Sequence, residues 1–233
     1  MMGRGKKYDQ AVASFDKDAT HSWESAIGLI KGFPQKKYDQ TVHITMNLGI
    51  DGRQADQILR GTVMLPHGTG KDLRVLVVTQ GPLAQVAEEA GADIVGGAEL
   101  VAKIESGWLD FDLVIASPDM MGQVGKLGRV LGPRGLMPNP KTGTVTRDIE
   151  KAVSEAKAGR VEYRADSKSG NNAQAPIGKM SFDEKALIEN ARAFADAILR
   201  AKPASAKGQF VRKCIVSAAM GPGVKIDRAL LAA

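Results

Sequence analysis

Thr41-Val-His-Ile-Thr-Met-Asn-Leu48 alternates with a period of two, setting Val42, Ile44, Met46 and Leu48 on one side and Thr41, His43, Thr45 and Asn47 on the other. Successive strand residues point to opposite faces, so this run predicts a strand with one face buried. Upstream, Trp23, Ala26, Ile27 and Ile30 recur at helical spacing behind the hydroxyl residues Thr20 and Ser22. They predict a helix over 22–30, stopped by Gly32 and Pro34. Residues 60–65 read as a second strand, and Pro66-His-Gly-Thr-Gly70 as a flexible connection. The residues before Asp18 are weakly patterned and are expected to form a mobile leader.

The pattern then changes. Strand runs at 73–79, 93–95 and 111–117 alternate with helical stretches at 83–90, 97–106 and 119–131, and a Gly/Pro-rich loop over 131–143 leads to a helix at 148–158. Strict alternation of this kind predicts a parallel, doubly wound sheet. From Arg160 the grammar is antiparallel again: a strand at 160–165, a polar turn at 166–172, its partner at 174–179, a long amphipathic helix at 183–199 and a last strand at 207–216. Neither end of the chain makes a two-layer domain by itself. The expected architecture therefore combines α/β and α+β parts: a discontinuous two-layer α+β domain, residues 1–67 plus 159–233, with an inserted Rossmann-like parallel-sheet domain at 68–158.

At 233 residues, 43% hydrophobic and 25% charged, the chain can bury two cores, and no apolar run approaches the length of a membrane span. No membrane partner is expected. No apolar stretch follows the basic residues of the N-terminus, which does not read as a secretory signal. A single cysteine, Cys214, staples nothing and suits the reducing cytoplasm. Of 32 Lys/Arg and 26 Asp/Glu, residues 68–158 hold 10 and 12, so the flanks hold 22 and 14. The basic excess lies in the discontinuous domain, which favours a polyanionic partner.

Catalytic patterns fail on inspection. Gly68-Thr-Gly70-Lys-Asp-Leu73 lacks the third glycine of a dinucleotide fingerprint, precedes a strand, and has Asp72 where a phosphate loop needs Ser or Thr. Asp110, Asp112 and Asp119 flank a strand with no His or Cys nearby, His21, His43 and His67 are scattered, and Ser117 has no nucleophile elbow. No catalytic residue, metal or cofactor is expected. A nucleotide-binding or small-ligand enzyme on the Rossmann-like domain is the alternative in a different class.

Near the C-terminus a strand runs into Met220-Gly221-Pro222-Gly223, a turn where backbone N–H and C=O groups can face a partner, with Arg212 and Lys213 before it and Lys225 and Arg228 after it. The plainer reading makes Met220 core filler. This turn, together with Lys37-Tyr38-Asp-Gln-Thr41, Asn47-Leu-Gly-Ile-Asp51, residues 60–71 and Leu131-Gly-Pro-Arg-Gly-Leu-Met-Pro-Asn-Pro-Lys141, resembles the bacterial form of the universal large-subunit ribosomal protein family number one, from about Ser22 onward. The resemblance implies a protein, monomeric within the ribosome, that binds large-subunit rRNA. It also implies a mobile stalk beside the tRNA exit site, help in releasing deacylated tRNA, and repression of its own operon mRNA. It places the main RNA contacts on Lys37, Tyr38, Thr41, Asp166, Lys168, Met220, Gly221, Pro222 and Gly223. The chemistry of these residues is compatible: lysines neutralise phosphate, Tyr38 offers a ring, Thr41 a hydroxyl, and glycines allow close backbone approach. Lys168 as a solvated charge and Tyr38 as strand packing stay open as alternatives. Arg129, Arg134 and Lys141 on the inserted domain are expected to touch rRNA or exit-site tRNA transiently. The chain departs from the family at Tyr38, often Phe there, at Ala218 and Ala219, often threonines, at Ala165, often Asn, and in a longer polar turn.

Overall fold

The computed structural model describes residues 5–34, 37–165, 170–206 and 208–231. It is a mixed α/β protein in two compact units, Met1–Gly70 with Val161–Ala233, and Lys71–Arg160. In chain order, the first segment holds α1 (Lys6–Ala13), β1 (Thr20–His21), α2 (Trp23–Gly32), β2 (Thr41–Leu48) and β3 (Leu59–Met64). Then follow β4 (Val75–Val78), α3 (Pro82–Glu89), β5 (Ile94–Gly96), α4 (Ala98–Glu105), β6 (Leu113–Ala116), α5 (Met121–Val124), α6 (Gly128–Leu131) and α7 (Ile149–Lys157). The last third adds β7 (Arg160–Ala165), β8 (Asn172–Lys179), α8 (Glu184–Arg200), β9 (Val211–Ala218) and β10 (Val224–Ile226).

In the discontinuous unit β2 is the spine, because its alternating pattern buries one face and leaves the other half-open. It pairs antiparallel with β8 on one side and β9 on the other, within a sheet of order β1-β10-β9-β2-β8. Val42, Ile44, Met46 and Leu48 share a core with Trp23, Ile27 and Ile30 of α2 and Leu187, Phe194 and Ile198 of α8. Ser22 caps α2, its hydroxyl accepting from the Ser25 N–H at 3.2 Å. A second sheet, β3 with β7, packs on α8 through Tyr163, whose ring meets Phe194 edge-on at 5.9 Å.

From Gly5 on, the leader is not the mobile segment expected. It folds as α1, buries Ala11 in the same core, and ends in β1, which pairs parallel with β10. Its pattern was weak because an 8-residue helix anchored mainly through one alanine leaves no apolar stripe in the sequence. The final strand begins at Val211, and β10, a three-residue strand, follows the turn. A two-residue register with β1 and three with β9 are tertiary pairings that local propensity does not show.

In the continuous unit β5-β4-β6 form a three-stranded parallel sheet. Leu76 and Val78 pack to one side with Leu100, Ile104 and Leu127, while Val75 and Val77 pack to the other with Ala87, Ile149 and Val153. A strand covered on both faces reads as an unbroken apolar run, which Val75–Val78 is. The helix expected over 119–131 is broken into α5 and α6 with single 3-10 turns at Pro118–Met120 and Gly125–Leu127. Gly122, Gly125 and Gly128, one in every three residues, remove the side chains that favour a continuous α-helix.

Candidate nucleic-acid interface

Residues 37–41 and 218–223 meet at one end of the large sheet. Val42 stands opposite Ala218, and the Ala219 N–H donates to the Thr41 carbonyl at 2.9 Å, so the turn folds over the start of β2. Gln40, buried, pins both neighbours: its side-chain oxygen accepts from the Met220 N–H at 3.1 Å, and its carbonyl accepts from the Met180 N–H at 2.8 Å. Asp39 accepts from the Ser181 N–H at 3.1 Å and the Ser181 hydroxyl at 2.7 Å. These bonds hold Lys37 and Tyr38 on the outside.

What remains exposed is apolar or basic. Met220 is 59% exposed and Tyr38 52%, so neither is core filler, and Lys37 is exposed beside them. Water-exposed large side chains at one end of a sheet are a ready contact surface. The turn itself differs from expectation. The N–H groups of Ala219, Met220 and Gly221 already donate to Thr41, Gln40 and Ala218, so the turn presents side chains more than backbone donors. Pro222 is buried. A Cβ on Gly223 would lie 2.7 Å from Ile215 Cγ2, so that glycine answers packing within the sheet.

Charge is also redistributed relative to the sequence reading. Arg212 and Lys213 lie at the far end of β9, with Lys213 opposite Asn47, six residues along β2 from Thr41, roughly 20 Å at strand rise. Lys225 Nζ sits 2.7 Å from Asp18, which partly neutralises it. Asp166 and Lys168 lie outside the described residues. Gly170 and Asn172, which follow them, both accept from the Asn47 amide, at 3.4 and 2.8 Å. The described members of the expected contact set thus gather at the Thr41 end. Gln40, which fixes that end, went unnoticed in the sequence because its partner Met220 is 180 positions away.

In the continuous unit Arg129, Arg134 and Lys141 are all exposed, and Lys126 and Arg147 add two exposed cations not singled out from the sequence. The loop that bears Lys141 is braced: the Asn139 side chain accepts from the Lys141 N–H at 2.8 Å, and the Thr144 hydroxyl accepts from the Asn139 N–H at 2.7 Å. The carboxylates around β6 are engaged structurally. Asp112 lies 2.5 Å from Lys71 Nζ, and the Arg74 guanidinium pairs with Asp110. The Lys71 bond, joined by the Arg74 N–H and charge, holds the Asp112 carboxyl below its usual range against burial, which pushes it up. Cys214 is buried, which pushes its thiol up to about 12 and leaves it unreactive as a nucleophile. Among the described residues no cluster of three His, Cys, Asp or Glu side chains could hold a metal ion, and no helix is long and apolar enough to cross a membrane.

The model of the ribosomal protein L1p/L10e family matches residues 30–222. The chain is 56% identical over 226 residues to the large ribosomal subunit protein uL1 of a Nocardioides species, covering 97% of this chain and 93% of that relative.

Proposed function

The chain belongs to the ribosomal protein L1p/L10e family, and on that premise we propose that it is a structural, non-enzymatic component of the large ribosomal subunit that binds large-subunit rRNA through the end of the sheet bearing Lys37, Tyr38, Thr41 and Met220. The observation that supports this most directly is the exposure of Tyr38 and Met220 on the more basic of the two units. That unit holds 21 Lys/Arg against 14 Asp/Glu, whereas Lys71–Arg160 holds 11 against 12. An exposed ring stacks on a base or ribose, lysine neutralises phosphate, and the Thr41 hydroxyl suits a 2′-OH. Asp166, Lys168, Gly221, Pro222 and Gly223 complete the interface in this reading, Pro222 and Gly223 by shaping the turn.

The finer reading places the continuous unit, taken as Rossmann-like, on a mobile stalk at the tRNA exit site. There Arg129, Arg134 and Lys141 would meet exit-site tRNA and assist its release, and the RNA face would also bind the protein's own operon mRNA. The braced, cation-bearing loop supports the tRNA contact. The test is a salt titration of binding to a large-subunit rRNA fragment. Affinity is expected to fall linearly with salt on a log–log scale, and Tyr38→Ala to weaken binding roughly 5- to 150-fold, the range of one lost stacking contact. Met220→Asp should weaken it further without lowering Tm. Affinity indifferent to both substitutions would move the interface elsewhere.

A further inference from the structure

We infer that the discontinuous unit carries a second RNA site, a polar cleft at the Leu48 end of β2 that takes an unpaired guanine, with Arg212 on its O6/N7 edge and Asp51 on its N1–H and 2-amino donors. The inference rests on the reading that the chain binds rRNA and adds base recognition to it, at the opposite end of β2 from Tyr38 and Met220.

Two segments distant in sequence form the cleft. Gly49, Asp51, Gln54 and Gln57 line it from the first, Ser205 and Arg212 from the second, and its volume is about 560 Å³, within the range of pockets that hold a small organic group. A bulge supplies the arginine. Along the pairing of β2 with β9, Lys213 stands opposite Asn47 and Val211 opposite Leu48, so Arg212 is the extra residue. Arg212 and Lys213 are both exposed, although one of two successive residues on this half-buried sheet would ordinarily turn inward; the bulge re-aims the side chain. Arg212 passes over Gly49, its Nε 3.4 Å from where a Cβ there would stand, and the same Cβ would run into the Gln209 carbonyl. The Gly49 N–H donates to the Phe210 carbonyl at 2.6 Å and the Asn171 amide to the Ile50 carbonyl at 2.8 Å, which fastens this side of the cleft.

Asp51 stands in a closed ring of hydrogen bonds. The Gln57 side chain, in a residue only 8% exposed, accepts from the Asp51 N–H at 2.8 Å and donates to the Gln54 side-chain oxygen at 2.8 Å, and the Gln54 amide donates back to Asp51 Oδ2 at 3.4 Å. The Arg53 N–H donates to Asp51 Oδ1 at 3.1 Å. Each carboxylate oxygen thus has one partner and one lone-pair site left. Arg212 lines the same cleft, and among the described residues no ion pair joins it to Asp51. A guanidinium fork and a carboxylate kept apart in one cleft, neutral in sum, suit the edges of a base better than a phosphate. Guanine presents two adjoining acceptors, O6 and N7, to a fork and two adjoining donors to a carboxylate, and an arginine on O6 and N7 is the commonest specific contact to a base. RNA offers such a base where it is unstacked in a loop or bulge. Arg53 and Lys213, exposed and next to these segments, would meet the flanking phosphates.

The test uses the full chain and the rRNA fragment. Arg212→Lys keeps the charge and loses the fork, so it should weaken binding roughly 5- to 150-fold, the range of one bidentate base contact, and leave the dependence of log K on log salt unchanged. Inosine, which lacks the 2-amino group, is then placed at each unpaired guanine of the fragment in turn. One position should weaken binding to the parent severalfold and add nothing further in Asp51→Asn. Because the inosine arm leaves the parent protein intact, it decides even where a substitution lowers Tm. Affinity unchanged in Arg212→Lys, or a loss that no inosine position shares, overturns the inference; with binding still lost in Met220→Asp, the interface at Tyr38 stands. The reverse outcome, an inosine effect absorbed by Asp51→Asn with binding indifferent to Tyr38→Ala and Met220→Asp, keeps the guanine site and removes that interface.

Discussion

Gly223 sits so close to Ile215 that a methyl group there would lie 2.7 Å from the isoleucine Cγ2. Gly223→Ala therefore forces β9 and β10 apart and is expected to cost ~1–3 kcal/mol of stability, the usual range for overpacking. Thermal denaturation measures this, and RNA affinity below Tm should change much less than it does in Met220→Asp. At this scale the sequence showed that a Gly-Pro-Gly turn existed but not why its second glycine is needed, since the reason is a neighbour eight residues earlier on a paired strand. Met220 had two readings, core or contact, that no local pattern separates. Its 59% exposure separates them. Cys214 shares the buried side of β9 with Val216 and Ala218.

Elements were legible in proportion to their hydrophobic period. β2 is the strand that its alternation predicts, from Thr41 to Leu48, and its half-open face carries a titrating group whose effect can be measured. Burial lowers the pKa of His43 from its usual value near 6.5. The folded chain thus resists a proton that the unfolded chain accepts, so the stability linked to His43 is fully present above about pH 6.5 and is lost as pH falls from there toward the lowered folded value. His43→Gln, which cannot titrate, should lose less Tm between pH 7 and 5 than the parent; an equal loss would assign the pH dependence to other groups. The elements that were missed have no period of their own. α1 is anchored chiefly by Ala11, and β10 exists because β9 and β1 flank it. Within α8 the fully buried Asn190 is a polar residue on the apolar side of the helix. Its amide ties down the end of the first segment, accepting from the His67 N–H at 3.0 Å and donating to the Gly68 carbonyl at 3.0 Å and the Ile177 carbonyl at 2.8 Å.

On the scale of the whole molecule, the apolar residues sort into cores that do not mix: one is drawn from residues 11–65 with 161–231, and two lie on the faces of the parallel sheet within 75–156. The discontinuous core cannot form from either segment alone, because β2 belongs to the first and both its sheet neighbours, β8 and β9, to the second. Residues 1–70 expressed alone should therefore stay unfolded, whereas 71–160, with a complete sheet and helices on both its faces, should unfold cooperatively when isolated. Replacing 71–160 by a short Gly/Ser linker shortens the loop between the two segments, which lowers the entropy cost of bringing them together, and leaves β2, α1 and the Met220 turn intact. If the interface lies where Tyr38 and Met220 are exposed, this shortened chain keeps its affinity for the rRNA fragment within a fewfold of the parent, with a similar salt slope. A loss beyond about tenfold with the fold intact would instead assign a substantial share of binding to Arg129, Arg134 and Lys141, and make the braced loop of the continuous unit a principal rRNA contact.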